Sequence, residues 1–296
     1  VTDTVYTDLN LSLSSLSLPN FQISGGDFVI INNTELVNID LTEYTTAEGY
    51  FRVSQNNKLA SIYADKLEST GMSFLIDSNP ILKDLSAKNL KSTDAGVWIH
   101  NNDELVSFEL PALTSVKKSV WVYDNPELTA FSIPELVTIG RTLQIYSNPF
   151  LGMINMGKLE SIAMDSADCE GLNIYGNKAI PYIQFPSLKE VGSYIYVYQN
   201  DILAEFSLPV LETVKEGFQI YENPLATTIE MNALKEVGKD FLVHSNDSIT
   251  YFEIPALETI VGMINIYNNK LLDSFDFPVV TVTGGLEVYG NEALYK

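Results

Sequence analysis

The side chains able to carry out chemistry are few and scattered. Among 296 residues there are 2 histidines, His100 and His244, and 1 cysteine, Cys169. A catalytic nucleophile needs a base within hydrogen-bond reach and a third group to orient that base. No Ser-His-Asp set, phosphate-cradling loop or Asp-x-Asp-x-Asp calcium loop can be found in the chain. Cys169 lies in the acidic stretch Asp165–Glu170, a setting that disfavours the thiolate that a nucleophile requires. We therefore expect a protein without catalytic residues, metal or cofactor. The chain is instead rich in Trp98, Trp121 and a set of tyrosines, whose chemistry is contact: a broad apolar ring with a polar tip, able to stack.

Charge narrows the partners. Lys plus Arg total 17 against 38 Asp plus Glu, a net charge of -21. Phosphate backbones and anionic lipid surfaces repel such a chain, so nucleic acid is excluded as a partner. No apolar run approaches the ~18 residues that span a bilayer, so no direct membrane span is expected.

The elements that position the aromatic rings follow from an internal repeat. One asparagine recurs at Asn10, Asn33, Asn56, Asn79, Asn102, Asn125 and Asn148, then at Asn177, Asn200, Asn223, Asn246, Asn269 and Asn291. The spacing is 23 residues except for a step of 29 before Asn177 and one of 22 before Asn291. Apolar residues sit in fixed slots around it, five and three residues before and six and eight after, as with Phe218, Ile220, Phe206 and Leu208. Pairs spaced by two follow the strand period. Each unit predicts two short strands and a further short extended or turn segment. The fold class is all-β: a right-handed parallel β-helix or leucine-rich-repeat-like solenoid of about 13 coils, forming a single domain over residues 1–296 with an irregular insertion near 163–171. No unit can bury its apolar slots alone, so stacked neighbours must supply the core.

The bends have their own signals. Proline sits nine residues after the asparagine at Pro19, Pro111, Pro134, Pro186, Pro209, Pro255 and Pro278, and directly after it at Pro80, Pro126, Pro149 and Pro224. Its fixed φ and missing N–H suit a corner. Gly140, Gly192, Gly238 and Gly262 follow the last apolar slot, where a tight turn would call for positive φ. The recurring asparagines read as a structural ladder, each satisfying backbone groups of the next coil. That role lowers the weight of the glycosylation sequons at Asn10 and Asn246 and leaves Asn32, in Asn32-Asn33-Thr34, as the better acceptor.

The units Leu211–Asn223 and Leu188–Asn200, with their Leu-x-x-Val and Ile-Tyr or Val-Tyr steps before the asparagine, resemble the receptor L-domain repeat of insulin and EGF receptor ectodomains. They are also similar to the repeat of fungal GPI-anchored cell-wall proteins of the sporulation and wall-organisation type. The resemblance covers nearly the whole chain. It implies a leucine-rich solenoid and an extracellular or cell-surface location. Receptor L domains usually have fewer coils and cysteine-rich neighbours, and the fungal proteins a Ser/Thr-rich stalk, features this sequence does not share.

Strand alternation then locates the outward side chains. Four and two residues before the asparagine lie Trp98 and His100, Trp121 and Tyr123, and Tyr196 and Tyr198, with Tyr146, Tyr175, Tyr221, His244, Tyr267 and Tyr289 in the second of these files. His100 and His244 are six units apart, about 30 Å at the strand spacing, too far to cooperate. The aromatic file has two compatible readings, a self-stacking ladder or a surface for glycan or protein. The patch around Trp98, His100, Trp121 and Tyr123 is the centre of the expected binding face, extended by Tyr146, Tyr175, Tyr196, Tyr198 and Tyr221. The acidic second face, with Glu109, Glu230, Glu253 and Asp276, reads as solvated. The expected function is a non-enzymatic surface binding or adhesion protein. The alternative is a structural subunit of a wall or filament, self-associating end to end through open sheet edges.

Overall fold

A computed structural model describes residues 4–162 and 171–294. Cys169 and the insertion expected near 163–171 therefore lie outside the described residues, apart from Gly171 itself.

The chain is an all-β parallel solenoid with a repeat of about 23 residues. Each of the first twelve coils has three short strands, as in Val97–His100, Ser107–Glu109 and Ser115–Val116, and the last has Gly285–Tyr289 alone among the described residues. The third segment, left open between extended and turn by the sequence, is thus a strand of two residues. No helix occurs among the described residues. Pairing is parallel and advances one coil at a time: Val97 faces Val120, Ser107 faces Ala130 and Ser115 faces Thr138.

Backbone contacts divide the chain into two compact units. Unit one is Val1–Ile139 with Ser147–Phe150, and unit two is Gly140–Tyr146 with Leu151–Lys296. In unit one the front sheet runs from Val5–Asp8 to Val120–Tyr123, and in unit two from Leu143–Tyr146 to Gly285–Tyr289. Each unit has its own core of equivalent slots. Phe28, Phe51 and Phe74 stack at 5.2 Å steps in unit one, and Phe218 and Phe241 at 4.8 Å in unit two, all fully buried. Burying one such side chain contributes about 1.5–3 kcal/mol. Because every slot repeats, the contribution recurs coil by coil.

The corners explain the prolines. The Leu113 N–H donates to Leu110 O at 3.2 Å, closing a turn with Pro111 in its second position. The same turn brackets Pro134, Pro186, Pro209 and Pro255, and a second type starts at the ladder asparagine, as where the Leu128 N–H donates to Asn125 O around Pro126. Proline is favoured there because its φ is already that of the turn.

The glycine expectation needs correction. Positive φ does not fall at Gly140, Gly192, Gly238 or Gly262. It falls on the residue just before each ladder asparagine, with φ between 51° and 56° at non-glycine positions such as Asn101, Asp124, Gln199 and Glu222. Gly176 and Gly290 occupy the same place with φ of 65° and 66°. This left-handed step ends the front strand and turns the asparagine inward. Gly238 serves a different need: a Cβ there would stand 2.0 Å from Lys215 O of the preceding coil.

Candidate ligand-contact face

The front strand sets the face. In Val97–His100 the side chains of Val97 and Ile99 are fully buried, so Trp98 and His100 point outward. In-register pairing then places like against like along the sheet.

In unit one Trp98 stacks on Trp121 with ring centroids 5.0 Å apart, and His100 stacks on Tyr123 at 4.4 Å and 7°. Both indole nitrogens are shielded from solvent and have no hydrogen-bond partner among the described residues. A Cβ on Gly96 would come within 2.4 Å of Trp98 Nε1, so the glycine lets the indole lie against the backbone. These tryptophans pack with their donors turned away from solvent. Next to them lies a polar group that the sequence reading overlooked. Arg52 Nε donates to Ser54 Oγ at 2.8 Å, Ser54 Oγ donates to Asp77, and Arg52 stands 3.8 Å from the Asp77 carboxylate. Asp77 pairs in register with His100. Burial pushes the His100 imidazole below its usual value, against the opposing pull of Asp77 and Asp124. Counting back from the asparagine places Ser54, Asp77 and His100 in one strand-paired file and Arg52 two residues before Ser54, the signal that groups them.

In unit two the rings form one continuous stack. Tyr146, Tyr175, Tyr198, Tyr221, His244, Tyr267 and Tyr289 follow one another at 4.7, 4.6, 4.7, 4.7, 4.3 and 4.8 Å. Neighbouring planes differ by 13° or less, so the faces of the interior rings are occupied by other rings and their edges turn outward. Partial burial raises the phenols of Tyr221 and Tyr267 and lowers the His244 imidazole, which favours the neutral form of each.

Tyr196 does not join a file of its own kind, because its strand partners are Asn173 and Gln219. It stacks instead on Tyr194 at 5.2 Å. Lys239 Nζ lies 5.3 Å from the Tyr194 ring centre, donates to Tyr194 Oη at 3.0 Å and pairs with Glu216. The alternating tyrosines at 194, 196 and 198 were the available signal for Tyr194.

Behind the face runs the asparagine ladder. Asn33, Asn56, Asn79, Asn102, Asn125 and Asn148 in unit one, and Asn177, Asn200, Asn223, Asn246, Asn269 and Asn291 in unit two, are all fully buried. Asn223 shows the pattern. Its Oδ1 accepts the Asn200 N–H at 3.1 Å, and its Nδ2 donates to Val197 O and Tyr221 O, each at 3.0 Å. The side chain thus serves backbone groups that the left-handed step takes out of the strand ladder. Asn32, one position earlier, is half-buried, has φ of 56° and donates to Asp8 Oδ1 at 3.0 Å.

Outside the face, lysines pair with carboxylates one coil back, such as Lys58 with Glu35 at 2.6 Å and Lys235 with Glu212 at 2.7 Å. These pairs are exposed and screened, so they tidy the surface charge more than they stabilise the fold. No cluster of three or more His, Cys, Asp or Glu among the described residues could hold a metal ion. Searches of protein families, curated proteins and solved structures find no match to this chain.

Proposed function

We propose that the chain is a non-enzymatic binding or adhesion module that works at the cell surface or outside the cell, and that its front sheet contacts a protein partner. The observation that carries this reading is the seven-ring stack of unit two. A glycan stacks its C–H face on an open ring face, and the interior rings have theirs covered. What they present is a row of ring edges and phenol tips, the amphipathic surface typical of protein contacts. Between a glycan and a protein on this face, the geometry favours the protein. The location rests on the resemblance of the repeat to receptor L domains and fungal wall proteins, and a glycan on Asn32 would fit it.

Labelled protein applied to arrays of extracellular proteins and of glycans tests the proposal. Binding to a protein target that is lost on Tyr175→Ala plus Tyr198→Ala, with the circular dichroism spectrum preserved, is the expected result. Target binding that is indifferent to these changes and to Trp98→Ala plus Trp121→Ala would refute the front face as the contact surface.

A further inference from the structure

Not every exposed ring follows the ladder rule. Tyr63 ends the second-sheet strand Ser61–Tyr63 of unit one and is 52% exposed. Its in-register neighbours are Asp40 and Ser86, both small, and it makes no aromatic contact among the described residues. Where the front file covers ring faces with rings, this one is left bare.

The space around it is shaped. Tyr63 forms part of the wall of two open surface hollows of about 430 and 410 Å³. The first is lined further by Asp84, Ser86, Ser107, Phe108 and Glu109, and the second by Asp40, Thr42 and Asp65. Each lysine at the rim faces a carboxylate: Lys83 pairs with Glu104 at 3.1 Å, Lys88 with Asp65 at 3.3 Å and Lys66 with Glu43 at 2.5 Å. With Asp40, Asp84 and Glu109 added, carboxylates outnumber lysines around the two hollows, which disfavours an anionic ligand. The carboxylates of Asp84 and Glu109 have no side-chain partner among the described residues and remain available as acceptors.

An uncharged molecule with one apolar face and a rim of hydroxyl donors fits all three features: an open ring, unpaired acceptors and an acidic rim that disfavours anions. We propose that the second sheet of unit one binds a neutral oligosaccharide across Tyr63, with Asp84, Glu109 and Ser86 accepting or sharing hydroxyl hydrogen bonds. The second sheet of unit two has a second exposed ring over a polar hollow, although there Glu230 already accepts from Ser207 and Asn232. Tyr251 is 45% exposed and borders an open hollow of about 450 Å³ with Thr228, Glu230, Asn232 and Glu253, and no lysine or arginine lines it. Tyr251 Oη donates to Glu253 at 2.9 Å, which holds the ring in place. This site is separate from the front face and does not depend on a protein partner there.

The test is a titration of the ¹⁵N-labelled chain with neutral tetrasaccharides (β-1,4-glucose, β-1,3-glucose and α-mannose) and with a sulfated oligosaccharide, read by amide shifts. Saturable shifts at Thr42, Ser86 and Ser107 with at least one neutral sugar are expected. Affinity at these reporters should fall about tenfold in Tyr63→Ala, the scale of one ring contact, and persist in Tyr63→Phe and in the front-face variant Tyr198→Ala. The exposed position of Tyr63 means that Tyr63→Ala should melt as the parent does, so a loss of binding reports the site. Absence of shifts with every neutral sugar, shifts with the sulfated sugar alone, or unchanged affinity in Tyr63→Ala would each overturn the proposal.

Discussion

Replacing Asn223 by alanine is the sharpest test of how the coils are joined. The Asn200 N–H has the Asn223 Oδ1 as its acceptor at 3.1 Å, and it lies at a bend where no strand partner takes over. Val197 O and Tyr221 O each lose a donor at 3.0 Å. A buried N–H left without a partner costs about 1–3 kcal/mol, and the loss of a donor to a carbonyl about 0.5–1.5 kcal/mol. The sum is roughly 2–6 kcal/mol of lost stability for an exchange that removes only an amide group. Asn223→Asp should be at least as damaging, because it keeps the acceptor, removes both donors and buries a charge. Denaturant unfolding gives the size of the effect, and amide exchange gives its place: protection should fall first at Asn200 and the neighbouring coils of unit two, since repeat proteins open locally. A loss below about 0.5 kcal/mol, the level of an ordinary surface change, would refute the view that the asparagine amide holds the bend.

The left-handed position before the asparagine predicts an inverted preference. Gln199→Gly should leave stability unchanged or raise it, while Gln199→Val should lower it by about 1–2 kcal/mol in the same melts, because a branched side chain resists positive φ. In the ring stack, Tyr198→Ala removes two stacked contacts, at 4.6 and 4.7 Å, and should cost about 1–3 kcal/mol beyond the lost burial, whereas Tyr198→Phe should cost far less; thermal unfolding checks both. Burial lowers the imidazoles of His100 and His244, so the unfolded chain takes up protons that the folded rings resist. Their contribution to stability is therefore complete above the usual histidine value of about 6.5 and declines as pH falls below it. His244→Phe should flatten this part of the stability–pH curve, and Asp40 and Asp65, whose carboxyls are lowered by hydrogen bonds, should add a further decline only near and below about pH 4.

The period of the asparagine and of its flanking apolar slots determined the fold class. A 23-residue unit with two-residue alternation can bury its apolar side only against another copy of itself. The outward direction of Trp98, Tyr123 and Tyr198 was legible for the same reason, because alternation along a strand is local. Self-stacking of these rings was one of two readings open in the sequence, and which rings would stack on which was not legible. Ring faces in unit two are closed by neighbours 22 to 29 residues away, and Tyr196 is turned onto Tyr194 because Asn173 and Gln219, rather than rings, sit beside it. The left-handed step was hidden as well. The residue carrying it varies among Leu9, Asn32, Gln55, Ser78 and Glu222, and the side chain that compensates for it belongs to the asparagine one place further on and to the next coil. Tyr63 reads in the sequence as one more tyrosine. Its bare ring and the two hollows beside it exist because the registers on either side bring Asp40 and Ser86, residues too small to cover it. Local spacing decided which way each side chain points, and stacking between coils decided which surfaces were left open to a partner.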